Sequence, residues 1–164
     1  MRLNEVFDSN PKPTFDYEEV IDFLPKTFHR NAYKSINKRF NLKGQTYEVH
    51  MMVYDFVEGI LDNAEEYSEE IQPYLGLGPV LSIEFNKSES PIKHDHKQAL
   101  AVFNVITKLV EETVSKYGVD YLHVEPALLS HKKLYERMVS KFNAKIITKY
   151  ISSDDAEHWL IKLS

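Results

Sequence analysis

A chain of 164 residues with 43% hydrophobic residues has the length of one domain and enough apolar side chains for a core. Twenty basic against 25 acidic residues give a formal charge of -5, which excludes a general field toward nucleic acid or anionic membrane, and the absence of cysteine excludes disulfides, thiolate catalysis and cysteine-built zinc sites. No apolar run approaches the about 20 residues that span a bilayer. The opening Met1-Arg2-Leu3-Asn4-Glu5 lacks the apolar stretch of a signal peptide, so the expectation is a soluble, cytoplasmic protein.

Residues 1–14, with Pro11 and Pro13 among polar neighbours, read as an N-terminal arm, and residues 15–164 as a single domain. Tyr17, Val20, Ile21 and Leu24 share one helical face, which predicts a short helix over Asp16–Leu24 ended by Pro25. Tyr47, Val49, Met51 and Val53 alternate, and the stretch from Phe28 to Phe56 reads as a hairpin about Asn41-Leu42-Lys43-Gly44. Val57 to Ala64 and the acidic run Glu65 to Glu70 read as a loop with a helical turn or two. Val80 to Phe85 is a strand, and Asn86 to His96 a polar connection.

From Lys97 to Tyr117, Ala99, Phe103, Ile106, Val110, Val114 and Tyr117 recur at three- and four-residue spacing, with Leu100, Val102 and Leu109 widening the stripe. Gly118 ends this helix, since glycine takes the left-handed cap conformation cheaply. Val119 to Glu125 is a strand stopped by Pro126, and a helix from Ser130 gathers Leu134, Met138 and Phe142. Ala144–Ile151 and Glu157–Leu163 form a last hairpin about Ser152-Ser153-Asp154-Asp155. The fold class is α+β: a mixed, mostly antiparallel sheet of six to seven strands with helices on both faces. A right-handed crossover through the long helix sets the strands beginning near Val80 and Val119 parallel.

This succession, with Ser130-His131-Lys132-Lys133-Leu134-Tyr135-Glu136-Arg137-Met138 after a strand, resembles the C-terminal half of the GCN5-related N-acetyltransferase (GNAT) superfamily. The opening Met1 to Asp8 and the run Lys133 to Val139 look like small GNAT-like proteins of tailed phages. The resemblance implies a sheet that splays where the two parallel strands part, with acetyl-CoA in the gap and an amine as acceptor. It gives Tyr135 the role of the acid that protonates the leaving thiolate. It sets Lys93, His94, His96, Lys97 and Gln98 against the pyrophosphate of the cofactor, at the start of the long helix. There the sequence departs from the family: His94-Asp95-His96-Lys97-Gln98-Ala99 carries lysine where the phosphate loop has glycine, and Asp95 with Gln98 has the spacing of a capping box.

Acetyl transfer needs a base for the amine, a polarised carbonyl and an acid for the sulfur. Glu84, sharing a strand face with Ser82 and Asn86, is the candidate base; the bland reading is a glutamate on the wet face of a sheet. For Tyr135, the bland reading is ring packing in the helix interface. Tyr121, His123 and Glu125 share a face of the next strand and are candidates to orient the acceptor; His123 and Glu125 also make half of a metal site with no third ligand nearby in sequence. No metal is assigned. Arg30, Lys34, Lys38, Arg39 and Lys43, interleaved with Tyr33 and Phe40, are the one stripe suited to a nucleic-acid backbone, and on an acidic protein they read rather as solvated or paired.

Two functions from different classes follow. The first is acetyl-CoA-dependent N-acetylation of an amine. The second is a GNAT-like fold without cofactor, serving as a virion component of a phage or as an inhibitor that binds a host protein.

Overall fold

The alternating Tyr47, Val49, Met51 and Val53 are all buried and mark the middle of a sheet. The computed structural model describes residues 12–22, 32–61, 69–87, 96–126, 129–152 and 154–164. Its strands are β1 (Thr14–Asp22), β2 (Ala32–Leu42), β3 (Gln45–Tyr54), β4 (Val80–Lys87), β5 (Tyr121–Val124), β6 (Lys145–Ile151) and β7 (Glu157–Lys162). Helix α1 (His96–Tyr117) joins β4 to β5, and α2 (Leu129–Lys141) joins β5 to β6. The seven strands form one sheet in the order β1-β2-β3-β4-β5-β7-β6, antiparallel throughout except between β4 and β5. The α+β class and the mixed sheet are therefore those expected.

Local chemistry sets the turns and ends. Lys43 and Gly44 both take positive φ, at 52° and 78°, which is the two-residue turn whose twist suits a hairpin, and the Asn41 side chain accepts from the Gly44 N–H at 3.0 Å. Helix α1 stops at Gly118, φ 63°, and the Val119 N–H donates back to the Val114 carbonyl at 3.2 Å. Asn143 does the same for α2 at φ 50°, with the Ala144 N–H on the Val139 carbonyl at 2.9 Å. Gly78 is required by close approach, since a Cβ there would overlap the carbonyl oxygen of Asp55.

Alternation divides the core in two. Leu81, Ile83, Leu122, Val124, Trp159 and Ile161 join Phe103, Ile106 and Val110 of α1 and Tyr135 and Met138 of α2 in the larger cluster. Their neighbours Val80 and Leu160 turn to the other face, where they pack with Val57, Ile71 and Tyr150. Single turns of 3-10 helix at Val57–Gly59 and Gln72–Tyr74 lie in the segment that supplies Val57 and Ile71 to this second cluster. Leu100, read as part of the buried stripe of α1, is 42% exposed.

One element is corrected. The stretch from Asp16 to Asp22, read as helix, belongs to strand β1 and pairs antiparallel with β2, Glu18 opposite Lys38 and Ile21 opposite Ser35. A helix would have left the outer edge of β2 without partners for its amides and carbonyls, and its apolar stripe has nothing to cover: Tyr17, Val20 and Ile21 are all exposed. Leu24 and Pro25 lie outside the described residues, as do residues 1–11 of the proposed arm, and Thr14 already belongs to β1.

Candidate active site in the opening between two parallel strands

The β4–β5 ladder is short. It pairs Val80 with Tyr121, Leu81 with Leu122, Ser82 with His123 and Ile83 with Val124, and goes no further, while β4 continues to Lys87. After Val124 the chain passes through Glu125 and Pro126, whose ring nitrogen has no hydrogen to offer a ladder. The ladder ends with β5 at Val124, and a pocket of about 160 Å³ lies beyond that end. Ser82, Ile83, Glu84 and Phe85 line it from β4, His123 and Glu125 from β5 and its end, and His131 and Tyr135 from α2. One helical turn separates His131 from Tyr135, so both reach the same opening. The His131 ring meets Phe85 edge-on, centroids 6.1 Å apart at 64°.

The electrostatics are those of a half-dry site with an acidic rim. Tyr135 is buried, and its hydroxyl titrates well above the ordinary tyrosine range because burial and the charges of Glu125 and Glu84 oppose a phenolate. It therefore holds its proton at any physiological pH. His131 is lowered from the ordinary histidine value by desolvation, and His123 falls to about 3 through burial and the neighbouring His158. Both imidazoles are neutral at pH 7, which leaves Glu84 and Glu125 as the charged groups that line the pocket.

Glu84, Tyr135, His123 and Glu125, picked from the sequence, thus line one opening. Tyr121 does not: it packs against the second cluster. Gln98 is buried, and its amide donates to the Leu42 carbonyl at 3.0 Å and the Tyr47 hydroxyl at 3.3 Å, which fixes the start of α1 to the β2–β3 hairpin. His96 and Lys97 open α1; Lys93, His94 and Asp95, the last expected from the sequence to cap the helix, lie outside the described residues. Sequence reasoning missed His131 and Ser82 as lining residues. The i, i+4 spacing of His131 and Tyr135 carried the signal for the first, and the shared strand face of Ser82 and Glu84 for the second.

Two other readings meet the geometry at this point. Among the described residues no group of three or more His, Cys, Asp or Glu side chains could hold a metal ion. Of the basic stripe, Lys38 sits 3.3 Å from Glu18, Arg39 3.1 Å from Asp16, and the Lys34 ammonium lies over the Tyr117 ring at 4.9 Å. A depression of about 240 Å³ over β1–β3, lined by Tyr17, Lys38, Arg39, Glu48 and His50 among others, contains two of these paired groups, Lys38 and Arg39. No helix among the described residues is long and apolar enough to cross a membrane. Comparison of the chain with protein-family models, with curated proteins and with solved structures found no match.

Proposed function

We propose that this protein is a GNAT-like acyltransferase that moves a small acyl group from a coenzyme A thioester to an amine in the opening between β4 and β5. One observation carries the reading: the parallel ladder ends at Ile83 and Val124, and the space beyond it holds a protonated tyrosine hydroxyl near two carboxylates. Each group has work in the reaction. An ammonium substrate is drawn by Glu84 and Glu125; Glu84 takes one proton and later gives it to solvent; the free amine attacks the thioester carbonyl; the C–S bond breaks as the Tyr135 O–H protonates the departing sulfur, and the second proton lost by the nitrogen restores the Tyr135 hydroxyl. The balance is one ammonium and one thioester giving an amide, a thiol and one proton to solvent. The start of α1, with His96, Lys97 and Gln98, would face the pyrophosphate, and Gln98 ties that start to the β2–β3 hairpin.

A thermal-shift titration with acetyl-CoA tests binding, since a ligand of the native state must raise Tm. Thiol release tests chemistry with no background from the protein, which has no cysteine. Tyr135→Phe is expected to keep the Tm shift and lower kcat by about 10²-fold. Absence of any shift at saturating acetyl-CoA overturns the reading. That result would favour a cofactor-free binding protein, of a virion or directed at a host protein. This second reading draws on Phe15, Tyr17, Val20 and Ile21, four large apolar side chains exposed on edge strand β1.

A further inference from the structure

The strand order puts β5 between β4 and β7, and β7 against β6, so polar residues from four neighbouring segments meet behind the opening. Ser82 Oγ lies 2.9 Å from His123 Nδ1. His123 Nε2 lies 3.1 Å from His158 Nδ1 and 3.2 Å from the Tyr150 hydroxyl. The two imidazole planes differ by only 13°. His158 Nε2 lies 3.0 Å from Ser152 Oγ, and Ser152 hydrogen-bonds the carboxylate of Asp154. The inner end of this chain, Ser82, lines the pocket; the outer end, Asp154, is exposed.

Proton counting gives the chain a direction. The Asp154 carboxyl is held below its usual range by the Ser152 hydroxyl and so only accepts. Ser152 donates to it and accepts from the N–H at His158 Nε2. Neutral imidazole carries one proton, which leaves His158 Nδ1 bare to accept from the N–H at His123 Nε2, so the Tyr150 oxygen beside that N–H can only share it as an acceptor. His123, likewise neutral, then turns a bare Nδ1 to the Ser82 O–H. A hydroxyl donating to an imidazole that is itself oriented by a third group is the arrangement of an activated nucleophile.

We propose that Ser82 is a nucleophile for acyl groups, with His123 as its base and His158, Ser152 and Asp154 as positioning residues, and that the opening accepts small acyl esters or thioesters and forms an acyl-serine. Ser82 Oγ bonds to the acyl carbon as its proton passes to His123 Nδ1 and the Nε2 proton shifts to His158 Nδ1. His123 thus stays neutral, as its burial demands, and the positive charge rests on the less buried His158, which Glu125 and Asp154 favour in that state. The C–O or C–S bond to the leaving group breaks, the two protons shift back, and the leaving group takes the one at His123 Nδ1. Water repeats the sequence on the acyl-serine, giving a carboxylic acid and free Ser82. This activity goes beyond the amine transfer above and needs neither the Tyr135 hydroxyl nor coenzyme A.

A fluorophosphonate probe on the full chain, read by peptide mass, together with p-nitrophenyl acetate turnover, tests it whether or not acetyl-CoA is a substrate. One adduct is expected on Ser82, absent in Ser82→Ala, and labelling at least about a hundredfold slower in His123→Asn. Labelling of the native chain should slow on acidification as His158, faced by His123, Tyr150, Ser152, Glu125 and Asp154, takes up a proton. His158→Gln should label slowly and lose that pH response, which a merely structural role would not produce. No adduct on Ser82, or an unchanged rate in a folded His123→Asn, overturns the proposal. Should that variant fail to fold, nitrogen-15 chemical shifts of the native chain decide: a proton on Nε2 of His123 is expected, and one on Nδ1 would be fatal.

Discussion

Ile83 and Val124 are the last residues to face each other across the parallel ladder, and their side chains lie on the core side while Glu84 and Glu125, one residue on, are exposed. The two carboxylates therefore flank the opening from opposite strands, and the proposed reaction asks different things of them. Glu84→Gln removes a base and should lower kcat by about 10²-fold. Glu125→Gln removes only an attracting charge at an exposed position, and should raise the KM of a cationic amine about two- to fivefold with kcat nearly kept. Steady-state kinetics with thiol detection separates them. Equal losses of kcat in both variants would argue against Glu84 as the base.

Buried neutral histidine should make the fold sensitive to acid. In the unfolded chain His123 titrates near 6.5, and in the fold near 3. Between those values the unfolded chain binds the extra proton, so stability is complete above pH 6.5 and falls with pH, by up to about 1.4 kcal/mol per pH unit from this residue. His131 and His158, also lowered by desolvation, act with the same sign. Tm should be flat from pH 8 to 7 and decline from about pH 6.5 downward, and His123→Gln should remove part of the slope. A Tm that rises on acidification from pH 7 to 5 would contradict this.

The sequence carries most of the element order and part of the site, and the reasons for the difference lie in particular residues. The β2–β3 hairpin announces itself through Tyr47, Val49, Met51 and Val53 and a Lys-Gly turn, because period-two burial and a positive-φ turn are both local properties. Glu84 can be picked because it shares a strand face with Ser82 and Asn86, and Tyr135 because the run from Ser130 to Met138 resembles the acetyltransferase helix. The Ser82, His123 and His158 chain cannot, since it depends on β7 rather than β6 lying against β5, a choice made by tertiary packing. Strand β1 escapes a sequence reading for a similar reason. Tyr17, Val20 and Ile21 fit a helical stripe, and only the waiting edge of β2, with Lys38 and Arg39 to pair Glu18 and Asp16, makes the extended form the better one.

That edge offers a comparison between two adjacent residues. Phe40 and Arg39 follow one another on β2 and so point to opposite faces. Phe40 is fully buried, stacked on Tyr47 with centroids 5.3 Å apart and touching Phe15 at 5.8 Å. Arg39 bridges to Asp16 and covers the Tyr17 ring, with 41% of its side chain exposed. Removing the ring leaves a cavity the sheet cannot close, so Phe40→Ala should cost about 3–5 kcal/mol. Removing the guanidinium gives up a solvent-screened pair, so Arg39→Ala should cost under about 1 kcal/mol. Urea unfolding reads both as midpoint shifts at constant slope. Were the arginine variant the more damaged of the two, β1 would have to be held by charge rather than by the aromatic contacts beneath it, and Phe40 would not be its anchor.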